Sequence, residues 1–312
     1  MPTRDRSRFS IESLALLWAA RESGVIDALT TNAGTAEQVA DEAGIDPRAA
    51  RLTVDALESM GFIKRVGDEF EITNRALGFL AKRDVRSIGR LPNALDRFSL
   101  YAALPETMAT GDAPPFPDDW ARNRLGAHDA TDEAVVRACV TSAVRANPRA
   151  ERVLDFGGKS GVFAREFRAR GYDVTFLDDG EMVEIVRPLL SRAGIDLVAG
   201  DVTNPPVSEF DLVFADDAFV GHDPDSAKRV VEAVYDALAP GGTAVFIDAL
   251  SNRCSVATTT QRAVDALAYG RGECYDEEQV RKWVSDAGFE RPTIRDIPGT
   301  DAQAIVCERA VH

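Results

Sequence analysis

The chain has 312 residues, enough for two domains or one large one, and 45% of them are hydrophobic, which supports proper cores. A formal net charge of −15 argues against a non-specific grip on nucleic acid or on an anionic membrane surface, and no apolar run is long enough to span a bilayer. With three scattered histidines, and with Cys139, Cys254, Cys274 and Cys307 forming no CxxC pair, the composition predicts no metal site and reduced thiols in a cytoplasmic protein.

Met1-Pro-Thr-Arg-Asp-Arg-Ser-Arg8 lacks the apolar core of a signal peptide. Lysine is scarce beside arginine, a bias that suits a high-salt cytoplasm and equally an ordinary acidic protein. Residues 9–30 carry apolar side chains at helical spacing (Ile11, Leu14, Leu17, Val25, Leu29) and predict one or two amphipathic helices. A short helix then ends at Gly44, and Asp46-Pro47, an N-cap followed by proline, starts another that runs to Gly61. Phe62–Val66 and Glu69–Thr73 flank the turn-prone pair Gly67-Asp68 and read as a β-hairpin. Helix, turn, helix, hairpin is the pattern of a winged helix. Its would-be recognition helix sets Arg48 and Arg51 against Asp55 and Glu58, so no basic face forms, and dimerisation or a lid over substrate is favoured over DNA binding.

Residues 84–150 read as a mostly helical linker, broken by Gly111-Asp-Ala-Pro-Pro-Phe-Pro117. From Arg152 strands and helices alternate. Strands are expected at Val153–Phe156, Val174–Leu177, Leu197–Ala199, Leu212–Ala215, Ala244–Ile247 and Ala304–Cys307. A helix over Ala227–Leu238, capped by Asp225, is expected to stop at Pro240-Gly-Gly. The pattern is that of an α/β, doubly wound, mostly parallel sheet. The expected domains are residues 1–100 and 101–312, the latter opening with the helical segment 101–150.

The first strand runs into Asp155-Phe-Gly-Gly-Lys-Ser-Gly161 and then a helix, a device that brings backbone amides close to a ligand. A phosphate-cradling loop fails because Val153 stands at its first glycine. A dinucleotide loop fails because Lys159 and Val162 replace its second and third. Asp-x-Gly-x-Gly-x-Gly, a loop of S-adenosylmethionine-dependent methyltransferases, is matched by Asp155, Gly157 and Gly161. Gly158 fills a free position and Lys159 is off-pattern. Asp178 ends the second strand, where an acid accepts hydrogen bonds from ribose hydroxyls. Gly200-Asp201 ends the third, within reach of an adenine amino group. A degenerate loop that no longer binds is the bland alternative.

On these residues the whole chain resembles the plant-type small-molecule O-methyltransferases, the caffeate and hydroxyindole enzymes, in which a winged-helix dimerisation domain precedes a Rossmann-like cofactor domain. Where that family carries Leu-His-Asp-Trp-Ser-Asp-Glu, this chain has Gly221-His-Asp-Pro-Asp-Ser226. The resemblance implies a homodimer, S-adenosylmethionine as cofactor, His222 as general base, and Asp248 and Glu273 as its carboxylate partners. It also implies cofactor contacts at Gly157, Asp178, Asp201, Val202 and Ala218. Lys159 replaces a family glycine, Ala218 a common lysine or arginine, Pro224 a tryptophan and Asp248 a glutamate, so the acceptor does not carry over.

The implied chemistry is in-line transfer of a methyl group to a hydroxyl of a small molecule, aromatic ones among the candidates, with a neutral imidazole taking the proton. Asp223 is expected to cap the next helix or to position the loop, and Asp216-Asp217 to face solvent or form a cap rather than bind a metal. Phe116, Trp120, Phe219 and Tyr269 are candidate pocket walls. Other chemistries on the same cofactor, N- or C-methylation among them, and a ligand-sensing regulator that uses its winged helix on DNA, stay open.

Overall fold

A computed structural model describes residues 9–31, 33–74, 76 and 85–311; the leader reading of residues 1–8 lies outside them. Two compact units form: Met1–Ala102 with Phe116–Ala130, and Ala103–Pro115 with Thr131–His312.

Among its described residues the first unit is helical apart from one hairpin. Helix α1 (Ile11–Glu22) starts where the Ser10 side chain accepts from Ser13 N, and α2 (Val25–Thr31) follows. Helix α3 (Ala36–Ala43) opens with a Thr35/Gln38 capping box and closes at Gly44, whose φ of 64° only glycine adopts freely. Helix α4 (Pro47–Ser59) begins at Asp46, as the sequence predicts, and the antiparallel pair β1 (Ile63–Val66) and β2 (Glu69–Ile72) turns at 67–68. Gly34 O accepts a hydrogen bond from Phe70 N at 2.6 Å and ties the hairpin to the chain before α3.

Leu17, Val39, Val54, Leu57, Phe62, Phe70 and Leu95 form this unit's core. Helices α5 (Val85–Ile88), α6 (Leu91–Ala102), α7 (Leu104–Thr110) and α8 (Trp120–Asp129) follow. Asp96 of α6 is 1% exposed, and its charge is met by Arg21 at 2.7 Å and Asn123 at 2.8 Å. That clamp joins α1, α6 and α8. The outer face of α4 exposes Arg48, Arg51 and Asp55 together, so the mixed charge expected of it is present.

The second unit, to which α7 belongs, continues with α9 (Glu133–Ala146) and then alternates strands and helices. In order these are β3 (Arg152–Phe156), α10 (Val162–Ala169), β4 (Asp173–Asp178), α11 (Gly180–Leu190), β5 (Asp196–Ala199), β6 (Phe210–Asp216), α12 (Pro224–Ala237), β7 (Leu238–Asp248), α13 (Val256–Tyr269), α14 (Glu277–Asp286), β8 (Glu290–Asp296) and β9 (Gln303–Glu308). The seven strands lie in the order β5-β4-β3-β6-β7-β9-β8. β9 runs antiparallel to both neighbours, and the other pairings are parallel. Strand β3 is buried from Val153 to Phe156, as a central strand covered on both faces must be.

The helix after residue 220 is capped by Asp223, whose side chain accepts from Asp225 N and Ser226 N, so of the two acids the sequence offers as caps Asp223 serves and Asp225 does not. The helix ends at Ala237, ahead of Pro240-Gly-Gly, which lies inside β7. There a register shift between Phe210 and Leu212 absorbs it, and a Cβ on Gly242 would sit 2.9 Å from Phe210 O. The chain order reverses at β3 and β6, which opens a crevice beyond their carboxyl ends.

Candidate active site

At the crevice, β3 turns sharply into α10. Asp155 is fully buried and its Oδ2 accepts from Ala164 N at 3.0 Å, tying the end of the strand to the first turn of the helix. Burial pushes its carboxyl up to about 7. A Cβ on Gly158 would lie 2.6 Å from Asp155 Oδ2 and from Phe176 Cε2, and one on Gly161 (φ 69°) would lie 2.6 Å from Leu190 Cδ1. These two glycines let the loop lie flat on the sheet edge. Gly157, at φ 62°, faces outward, with Val202 Cγ1 at 3.8 Å from its Cβ position.

Lys159 is the loop's exception: a non-glycine residue at φ 53°. Its backbone N–H donates to Asp178 Oδ2 at 2.8 Å. Its ammonium reaches Asp216 O at 2.9 Å, Asp216 Oδ2 at 3.0 Å and Asp217 Oδ2 at 3.2 Å. Arg262 of α13 approaches from the other side, 2.5 Å from Asp217 Oδ1 and 3.9 Å from Asp248 Oδ1. Burial alone would raise the Asp217 carboxyl, but Lys159 and Arg262 outweigh it and hold it well below the usual range. Asp216-Asp217 is therefore an ion-paired element of the crevice and not a solvent-facing pair.

Beside the loop, a cavity of about 510 Å³ is lined by Asp178, Asp179, Gly180, Ala199, Gly200, Asp201 and Val202. Asp178 is held at its rim by the amides of Lys159 and Asp179, both at 2.8 Å. Asp201 accepts from the backbone N–H and hydroxyl of Thr203, each at 2.8 Å. Those bonds lower its carboxyl pKa, with smaller contributions from Arg229 and His222.

The loop from β6 to α12 carries His222. The His222 N–H donates to Phe219 O at 3.0 Å, and its carbonyl accepts from Tyr275 Oη at 2.7 Å. Asp248 does not lie open beside the histidine. It is 4% exposed, and its carboxylate accepts from Phe219 N at 2.9 Å and Ala249 N at 2.8 Å. Burial, with the nearby Asp217 charge, pushes its carboxyl up to about 6. Gly272, at φ 86°, packs directly on the backbone of Val220 and Gly221. That contact brings the exposed Glu273 loop alongside the His222 loop.

A family profile described as a methyltransferase domain matches residues 128–291, more than half of the chain. The chain belongs to the methyltransferase-domain family. The methyltransferase is 26% identical over 293 residues to the tetracenomycin polyketide synthesis 8-O-methyl transferase TcmO of Streptomyces glaucescens, covering 86% of this chain and 85% of that one. It is 24% identical to the 3-hydroxy-5-methyl-1-naphthoate 3-O-methyltransferase of Streptomyces sahachiroi, over 87% and 84%. Among solved structures, human N-acetylserotonin methyltransferase in complex with SAM aligns at a TM-score of 0.67 with 20% identity, over 95% and 94% of the two chains. PigF with SAH aligns at 0.73 with 17% identity, over 95% and 96%.

In this methyltransferase the structure brings Gly157, Asp178, Asp201 and Val202 to one cavity and its edge. Three of the residues named from sequence are buried. Asp155 anchors the loop from beneath. Ala218 is 7% exposed and belongs to the core cluster. Asp248 supports the backbone before His222. Phe219 is core as well, at 1% exposure. Sequence reasoning missed Arg262 and Tyr275. Nothing in the polar run Thr258–Arg262 marks Arg262 as inward, whereas Tyr275, two residues after Glu273, could have been found from its place in that loop.

Proposed function

We propose that the protein is an S-adenosylmethionine-dependent O-methyltransferase acting on a hydroxyl of a small aromatic molecule, with His222 as general base. The observation that carries this reading is the order of groups at the strand ends: a glycine cradle after β3, Asp178 at the end of β4 and Asp201 after β5, the two acids lining one cavity, followed by the His222 loop after β6. The residues fit the cofactor. Asp178 would take the ribose hydroxyls, Asp201 the adenine amino group, and Gly157 and Gly158 permit close backbone approach. When bound, S-adenosylmethionine supplies a methyl group already activated by its sulfonium charge.

The chain then has two tasks: to align the acceptor oxygen and to receive its proton. His222 takes that proton at the imidazole, and a phenol of pKa about 10 becomes a competent nucleophile as it does so. Glu273 is the carboxylate that orients the ring and stabilises the imidazolium. Asp248 fixes the backbone on which the histidine is carried. Phenolic polyketide-type acceptors are favoured because the relatives' names specify O-methylation in tetracenomycin polyketide synthesis and of a hydroxynaphthoate. The first unit serves as a winged-helix homodimerisation element, since its hairpin and α4 carry no basic face. Four cysteines without a disulfide suit a cytoplasmic protein.

Incubation with S-adenosylmethionine and a panel of hydroxynaphthoates and polycyclic phenols tests the reading. A product heavier by one methylene on oxygen supports it. Turnover unchanged in His222→Ala would sink the base assignment.

A further inference from the structure

The four cysteines are of two kinds. Cys139 and Cys307 are 2% and 0% exposed and lie in the core. Cys254 and Cys274 are half-buried free thiols on two loops that touch. Cys254 follows β7; its N–H donates to Leu250 O at 2.9 Å, and its sulfur lies 3.2 Å from Thr259 Oγ1 of α13. Cys274 lies in the loop between α13 and α14, and its thiol donates to Ala249 O at 3.4 Å. The Ser251 N–H donates to Tyr275 O at 2.9 Å and fastens the two loops together. Within that junction the two thiols stand in hydrogen-bonding contact with each other. The Cys274 loop is also joined to the His222 loop: Gly272 packs on the backbone of Val220 and Gly221, and Tyr275 Oη donates to His222 O at 2.7 Å. Glu273 stands between these two junctions, next in the chain to Cys274.

We propose that Cys254 and Cys274 are a modification site: a redox dithiol that takes a small-molecule disulfide of the glutathione class as oxidant, closes to an intramolecular disulfide, and slows methyl transfer by displacing Glu273. The effect on turnover rests on the roles given to His222 and Glu273 above, whereas the bond itself does not. Burial pushes the Cys274 thiol up to about 11, so little of it is thiolate at neutral pH and it serves as the resolving group. Cys254 attacks one sulfur of the oxidant, forming a mixed disulfide and releasing one small thiol. Cys274 then attacks the Cys254 sulfur, and the second small thiol leaves. The two protein thiol protons end on the two released thiols, and two electrons pass from the protein to the oxidant. Thiols already in contact need no unfolding to join. The new bond draws Cys274 from Ala249 O toward Cys254, and Glu273 moves with it. Reversible disulfides of this kind are the ones that occur in reducing compartments.

Full-length protein incubated with oxidised glutathione, then alkylated and digested, reads the site by mass. Wild type is expected to become lighter by two hydrogens, with Cys254 and Cys274 in one crosslinked pair of peptides. Its kcat should fall by about 10–10²-fold, the loss expected of a misplaced catalytic group, and dithiothreitol should restore it. Cys274→Ser should hold glutathione on Cys254 as a stable mixed disulfide. Cys254→Ser should take up little and keep its turnover in the oxidant. Neither thiol reacting, a glutathione adduct on wild type with no crosslink, a crosslink through Cys139 or Cys307, or a crosslinked protein with undiminished turnover overturns the proposal. Reduced protein that transfers no methyl group at all counts against the function proposed above, and the peptide masses then decide for or against the dithiol on their own.

Discussion

The glycine loop and the His222 loop border one crevice but are built in opposite ways. The first is locked from beneath: Asp155 is fully buried, Gly158 has no room for a methyl group, and Asp178 holds the next amide. The second is held mainly by its backbone, through Tyr275 Oη and the amide of Phe219, whose ring packs in the core. A cofactor common to a family asks for one rigid shape, and an acceptor that differs between members asks for a scaffold whose side chains can change. Pro224 and Asp248 depart from the resembling family's pattern around this second loop, and Lys159 departs from it in the first.

Substitutions that strike one loop and spare the other break or sharpen this contrast. The largest effect is expected from His222→Ala: kcat should fall by about 10²–10⁴-fold with S-adenosylhomocysteine affinity unchanged in calorimetry. A parallel loss of cofactor affinity would mean that the loops are not separable. Gly158→Ala forces a Cβ onto Asp155 Oδ2 and Phe176, each 2.6 Å away. It should cost about 1–3 kcal/mol in urea unfolding and weaken cofactor binding; an unperturbed variant would show that the cradle yields. Asp248→Ala strands the amides of Phe219 and Ala249. It should lower stability by about 1–3 kcal/mol and reduce kcat through the misplaced loop, with little change in cofactor affinity.

A pH dependence tests the first loop and leaves the second untouched. The Asp155 carboxyl, raised from 3.8 to about 7 by burial, keeps its proton in the folded chain where the unfolded chain has lost it. Its contribution to stability therefore falls as pH rises between those values and levels off above them. Asp155→Asn does not titrate, so its stability relative to wild type should improve from about pH 4 to about pH 7 and then stay constant, as followed by denaturant midpoints. A difference independent of pH would remove Asp155 from the account.

Much of this was legible in the sequence for local reasons. Gly44 and Asp46-Pro47 mark helix ends by chemistry that acts within a few residues. The central strands read as apolar runs because both faces of the sheet are covered. Strand β8 was missed because Glu-Arg-Pro-Thr-Ile-Arg-Asp is mostly polar, as an edge strand with solvent on it can be. At the site, strand-end acids and the glycine loop were readable from spacing. The Lys159–Asp217–Arg262 cluster was not: it joins residues 45 and 58 positions apart through tertiary packing alone. The burial of Asp248 was hidden in the same way, since an acid at a strand end looks alike whether it faces a ligand or a backbone amide.

The most direct test of the central claim is transfer of an isotopically labelled methyl group from S-adenosylmethionine to a hydroxylated polycyclic aromatic acceptor, run beside the same acceptor with that hydroxyl already methylated. The account predicts label on the hydroxyl oxygen as a methyl ether, none on the blocked acceptor, and near-complete loss with His222→Ala. Label on carbon or nitrogen, or equal labelling of the blocked acceptor, would contradict it.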